Sequence, residues 1–204
     1  MDTIDFRRRL HSHPELSFEE HGTAAFIASE LSKEGIENRP IASTGVLARI
    51  EGRRSNPKRC VVLRADIDAL PICEMTGVEW ASQNKGVMHA CGHDCHAAVL
   101  YGVLKRLKAD PDFEGTLFGL FQPGEETFEG ARAAIADGLL QNPRPQAAFA
   151  MHVNSQSPLG LVLYGSPALS GVYGFRITLQ GKGGHGAEPH NCHDAVTCCA
   201  AIVN

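Results

Sequence analysis

Three short apolar runs in this chain end alike, each opening onto side chains that can bind metal. Residues 61–65 (Val-Val-Leu-Arg-Ala) lead to Asp66 and Asp68. Residues 117–121 lead through Gln122, Pro123 and Gly124 to Glu125 and Glu126, and residues 147–151 lead to His152. Runs of this length read as buried strands, and ligand sites in open α/β sheets form outside the carboxyl ends of the strands. Parallel pairing would therefore bring distant acids and a histidine to one edge. A polar residue often begins a loop, so one such ending carries no weight. Three together do.

Helical patterns separate the strands. Residues 17–35 repeat Ala24, Ile27, Ala28 and Leu31 at helical spacing, with Glu19 and Glu20 suited to the first turn and Gly35 as a stop. A short helix is expected over residues 4–11, ahead of Pro14. Strands are expected at 46–50 and 60–65, joined by a polar turn at 53–58. A helix over 93–107 carries an apolar stripe of Val99, Leu100, Val103, Leu104 and Leu107, and another spans 130–137, closed by Gly138. Residues 161–164 form a further apolar run. The alternation predicts an α/β fold, a sheet with helices on both faces.

The pattern changes near Ser166. Residues 172–179 alternate as in a half-exposed strand, a glycine-rich turn covers 181–186, and a helix starts near His193 or Asp194 and still runs at Asn204. Two domains are expected, 1–168 and 169–204, the second only begun. Composition narrows the function classes. With 43% hydrophobic and 21% charged residues the chain can build a core, and a net charge of −4 speaks against a nucleic-acid surface. The N-terminus is charged at once, and no run approaches the roughly 20 apolar residues that span a bilayer. A cytoplasmic protein with no membrane partner is expected. Seven cysteines, an odd number, suggest buried reduced thiols rather than a disulfide framework, Cys91 excepted.

Cys91 lies in the densest cluster, His89-Ala90-Cys91-Gly92-His93-Asp94-Cys95-His96. Thiolate, imidazole and carboxylate bind zinc and similar divalent ions, and the paired Cys-x-x-Cys motifs of a closed structural site are not present in the sequence. Alone, the cluster fits equally a buried cysteine beside solvated histidines; Glu125, Glu126 and His152 turn the balance to metal. Two adjacent carboxylates can divide the work, one holding metal while the other takes a proton from water. The competing reading is a solvated acidic turn that also contains Glu129.

These segments, taken with Leu10-His11-Ser12-His13-Pro14-Glu15-Leu16, Arg64-Ala65-Asp66-Ile67-Asp68-Ala69-Leu70-Pro71, Phe121-Gln122-Pro123-Gly124-Glu125-Glu126, Met151-His152-Val153 and Gly181-Lys182-Gly183-Gly184-His185, run in one order along nearly the whole chain. The ordered set resembles the M20 metallopeptidase family, in its branch of aminoacylase-like, hippurate-hydrolase-like and IAA-amino acid hydrolases. The resemblance implies a zinc-peptidase-like catalytic domain and a smaller α+β dimerisation domain that is truncated here. It implies two divalent ions, zinc or manganese, with cobalt or nickel as alternatives. Cys91 would bridge both ions, with His93, Glu126 and His152 as further ligands. Glu125 would be the general base, Asp66 a carboxylate that orients the ligands, and His185 the donor that stabilises the oxyanion.

The implied reaction splits an N-acyl amino acid at its amide bond, in a homodimer when full length. His11, His13, His21, His89, His96, His190 and His193 receive no catalytic role. Two other readings stand beside it: an inactive remnant that binds metal or dimerises, and a cysteine hydrolase with Cys91 as nucleophile.

Overall fold

Regular structure begins where the sequence first offers a cap. Asp2 Oδ1 accepts from the N–H groups of Ile4 and Asp5 at 2.9 and 2.8 Å and opens helix α1, Thr3–Ser12. Helix α2 is His21–Lys33, and the Glu15 carboxylate accepts from Gly22 and Thr23 N–H in its first turn. The computed structural model describes residues 1–165 and 171–204. These fall into two compact units, Met1–Gln156 and Ser157–Asn204. The boundary expected near residue 168 lies outside the described residues.

The first unit holds a five-stranded mixed sheet in the order β1-β2-β4-β3-β5. Its strands are β1 Glu37–Ile41, β2 Gly45–Glu51, β3 Cys60–Asp66, β4 Thr116–Gln122 and β5 Ala147–Ala150. β3 pairs parallel with both β4 and β5, so the three runs singled out in the sequence do point the same way. β2 is antiparallel to β4, and β1 antiparallel to β2. β1 has no counterpart in the sequence reading. Its residues Glu-Asn-Arg-Pro-Ile give no apolar signal, and Pro40 is tolerated because the strand is at an edge.

Helices cover both faces, as the alternation predicts. On one face Phe6 of α1, Ile27 and Leu31 of α2, and Leu100, Tyr101 and Leu104 of helix α3 (His93–Ala109) pack against Val46, Ala48, Ile50, Leu117 and Phe121. On the other, Ala134 of helix α4 (Gly130–Ala136) and Leu139 meet Leu47, Val62, Phe118 and Leu120. The period of two along β2 and β4 sorts their side chains between these layers. The expected stripe of α3 needs one correction. Val99 and Val103 are exposed, and Ala97 and Tyr101 replace them inside, because α3 turns its ring-bearing side to Phe6. At Gly119 a Cβ would come within 2.6 Å of Leu104 Cδ1, so the missing side chain lets α3 lie close on β4.

A buried charge cluster ties α1 to the start of α3. Asp94 Oδ2 accepts from Arg7 Nε and from His11 Nδ1, both at 2.9 Å, while His11 Nε2 faces Glu74 at 3.1 Å. Burial alone would raise the Asp94 carboxyl, but its partners, led by the His11 hydrogen bond, outweigh this and hold it at about 2. A depressed carboxyl stabilises above its ordinary value of 3.8, and the contribution is lost as pH falls through about 2. Asp94→Asn should therefore cost about 2 kcal/mol at pH 7, at 1.36 kcal/mol per unit of pKa. In urea unfolding the gap between variant and wild type should shrink as pH drops from 4 toward 2. A gap independent of pH would contradict this account.

In the second unit, helix α5 is Ala195–Val203, capped by Asp194, whose Oδ1 accepts from Val196 and Thr197 N–H. A short 3-10 turn covers Pro189–Asn191, and Lys182 bridges His193. Two expectations fail here. Residues 161–164 and 172–179 form no strand, and their apolar side chains are exposed except for half-buried Leu179, with no layer among the described residues of this unit to bury them. The seven cysteines are all unpaired, but only Cys60 is fully buried; Cys73, Cys198 and Cys199 are exposed. No helix among the described residues is long and apolar enough to cross a membrane.

Candidate metal and acid–base site

The parallel trio β4-β3-β5 delivers its carboxyl ends to one edge, and the N-terminus of α3 comes to the same place. Asp66 is the last residue of β3, Glu125 and Glu126 follow β4 by a tight turn, His152 follows β5, and Cys91 and His93 flank Gly92, the N-cap of α3. Gly92 has φ +86, a left-handed conformation that suits glycine, and a Cβ there would meet Val153 Cγ2 at 2.5 Å.

Six of the seven residues expected at the site thus lie in the first unit and five of them form two overlapping groups. Cys91, His93 and His152 offer one ligand atom each, all within 4.8 Å of one another. His93, Glu125 and Glu126 do the same. Cys91 Sγ is 3.4 Å from His152 Nε2, and His93 Nε2 is 3.8 Å from a carboxylate oxygen of each glutamate. Ligands around a tetrahedral ion with bonds of about 2.0–2.3 Å stand roughly 3.3–3.8 Å apart. His185, the seventh, lies exposed in the second unit, where its Nδ1 accepts from Ala187 N–H.

The tautomers follow from hydrogen bonds. His93 Nδ1 donates to Asp68, 2.9 Å from its carbonyl oxygen and 3.1 Å from Oδ1. This leaves Nε2 with a free lone pair, buried and without a partner. Glu126 Oε1 is a second buried atom without a partner. His152 Nδ1 donates to the Val153 carbonyl at 2.7 Å, which turns Nε2 toward Cys91. Fixing one ring nitrogen so that the other is presented is how protein scaffolds prepare imidazole ligands.

Asp68 escaped the sequence reading as a site residue, although it stands two places from Asp66. It orients His93, accepts from Glu126 N–H at 2.9 Å, and accepts from Ser17 Oγ at 2.7 Å. Glu20 escaped too. Wholly buried, it accepts from Gly124 N–H at 2.8 Å and from Thr44 Oγ1 at 2.5 Å, and so fixes the turn before the glutamate pair. Asp66 accepts from His96 Nδ1 at 2.5 Å and pairs with Arg64 at 2.9 Å.

Electrostatics gives the edge a strong negative bias. Burial would raise Asp66, but the hydrogen bond from His96 and the charge of Arg64 lead the effects that bring it down to about 2, so it is ionised. Glu125 is raised, first by burial and then by Asp66 and Glu126. The Cys91 thiol is pushed up to about 12 by burial and by Glu126, Glu125 and Asp66. Soft and hard donors converge around one imidazole under this negative bias, a set whose chemistry suits a divalent cation.

The family described as Peptidase family M20/M25/M40 matches residues 62–197. An N-acetyl-L-cysteine deacetylase of Bacillus subtilis is 44% identical over 98% of the chain, which covers 48% of that protein. An N-acyl-L-amino acid amidohydrolase of Geobacillus stearothermophilus is 41% identical over 99% of the chain and 55% of its own length. Among solved structures, a Bacillus subtilis protein described as a dinuclear metal binding peptidase matches with a TM-score of 0.74 and 42% identity, over 78% of this chain and 44% of that one. The chain spans about half the length of the curated relatives it matches.

Proposed function

The chain belongs to peptidase family M20/M25/M40, and from that membership we propose that its protein is a metal-dependent amidohydrolase acting on N-acyl amino acids. The observation that carries the reading is the pair of overlapping donor groups that share His93, two of whose buried atoms, His93 Nε2 and Glu126 Oε1, have no partner. Cys91, His93, Glu126 and His152 would hold two divalent ions, zinc or manganese. Bound there, the ions would polarise the amide carbonyl and make water a better nucleophile at neutral pH.

The chain's own residues divide the remaining work. Glu126 is tied by its backbone N–H to Asp68 and keeps an unpartnered oxygen, which suits a ligand. Glu125 is about one-third exposed and less acidic than an ordinary glutamate, which suits the base that takes the proton and later returns it to the leaving nitrogen. Asp66 keeps its charge and orients the histidines around it. His185 is assigned the hydrogen bond to the developing oxyanion, across a homodimer. Residues 1–168 would form the first part of the catalytic domain and 169–204 the start of the dimerisation domain, in a cytoplasmic enzyme.

A nucleophilic role for Cys91 finds no support. Reactive cysteines sit where positive charge lowers the thiol, whereas here burial and carboxylates push it up. The test is hydrolysis of a panel of N-acyl amino acids by the full-length protein, with and without chelator. Turnover of at least one substrate, abolished by chelator and restored by zinc or manganese, is expected. Turnover indifferent to chelator, or absent from the whole panel, would defeat the proposal.

A further inference from the structure

His96 is buried, 1% exposed, and lies one helical turn beyond His93. Spacing alone makes it a third imidazole for the metal edge, and Asp66, His93 and His96 do form a close triad. Its hydrogen bonds exclude that use. Nδ1–H donates to Asp66 Oδ1, and Nε2 accepts from the backbone N–H of Val153 at 3.0 Å. Both nitrogens are therefore committed, and Nε2, the one with a lone pair, is spent on the residue directly after His152. The three histidines share a tautomer and differ in what occupies Nε2.

We infer that His96 is a positioning residue, an imidazole clamp from Asp66 to the Val153 amide that holds His152 over Cys91. The inference rests on the ligand reading of His152 given above. β5 does little to fix this segment by itself. It has four residues, pairs only with β3, and leaves Phe149 60% exposed. Residues 151–165 carry no helix or strand, and the Val153 N–H finds a side chain in place of a strand. Three contacts act on two residues: Val153 N–H on His96, the Val153 side chain over Gly92, and the His152 ring edge-on to His96 at 4.5 Å between centroids. Asp66 is pinned in turn by Arg64, so the clamp is anchored in β3 rather than in a loop.

Two measurements on the full chain test this, one of them without metal. In His96→Ala, hydrogen exchange of the Val153 amide should quicken by about tenfold or more, because its only acceptor is gone. Zinc affinity, read by competition with a chromophoric chelator, should fall by about 10–100-fold, the usual cost of losing a partner that orients ligands. His96→Gln, whose amide oxygen can reach the Val153 N–H, should recover most of the affinity, and the shorter His96→Asn should not. The contrast between Gln and Asn decides the matter if the alanine variant does not fold. Combined with His152→Ala, His96→Ala should add little further loss. Unchanged Val153 exchange, or losses that multiply in the double variant, would overturn the inference. If His152→Ala leaves zinc affinity intact, the ligand reading falls instead, and Val153 exchange alone judges the clamp.

Discussion

Replacing Glu125 with glutamine in the full-length protein should lower turnover by about 10²–10⁴-fold, the usual worth of a positioned general base, while the ions stay bound. Glutamine keeps the shape of the side chain and cannot accept a proton. The neighbouring acids make the test sharp. Burial, and after it Asp66 and Glu126, raise the Glu125 carboxyl, which strengthens it as a base, while Asp66 itself stays at about 2 and is too weak to replace it. Glu126→Gln should behave differently, losing metal together with activity, because its buried Oε1 is a donor without a partner. Metal content and kcat/KM measured on both variants separate the roles. A Glu125→Gln enzyme that keeps a tenth of its turnover would end the assignment.

The second large effect is on stability. Phe6→Ala should cost about 3–5 kcal/mol in urea unfolding, the range for removing a buried aromatic ring. Phe6 is fully buried, stacks on Tyr101 with ring centroids 4.2 Å apart and planes within 5°, and meets Phe26 at 5.1 Å. The ring is the main apolar joint between α1 and α3. One turn further along α1, His11 bonds Asp94, the neighbour of His93. A loosened α1 should therefore weaken the metal edge as well, so the variant's zinc affinity should drop with its stability. A cost below about 1 kcal/mol would mean that α1 is not part of the core.

What the sequence disclosed follows the strength of its local signals. The runs 60–65, 116–121 and 147–151 are legible as strands because they are apolar, short and bounded by turn residues, and the structure shifts each end by a residue at most. β1 was not, since an edge strand with Pro40 and three polar residues carries no pattern. The metal-competent residues stood out because thiol, imidazole and carboxylate are conspicuous at strand ends. The residues that hold them did not. Asp68, Glu20 and His96 act through hydrogen bonds to groups 24 to 104 residues away, and no local spacing reports such a partner. His96 is the clearest instance, since its type suggests a ligand and only the Val153 amide shows otherwise. Residues 172–179 mislead in the opposite direction: alternation marks a surface ready to be half-buried, and among the described residues of their own unit no layer buries it.

The parallel seating of β5 on β3 also governs how the molecule assembles. It joins the strands most widely separated along the chain, Val61 opposite Ala147, so it carries the largest loop-closure entropy of any pairing in the sheet. Non-local parallel pairing is the slow part of folding such a topology. Four residues of ladder are a small reward for that closure, and His152 lies just beyond them. An ion gripped by both His152 and Cys91 would tie the end of β5 to the start of α3 and favour chains in which β5 is seated. Ion and strand would then be thermodynamically linked: whatever tightens the one protects the other from opening.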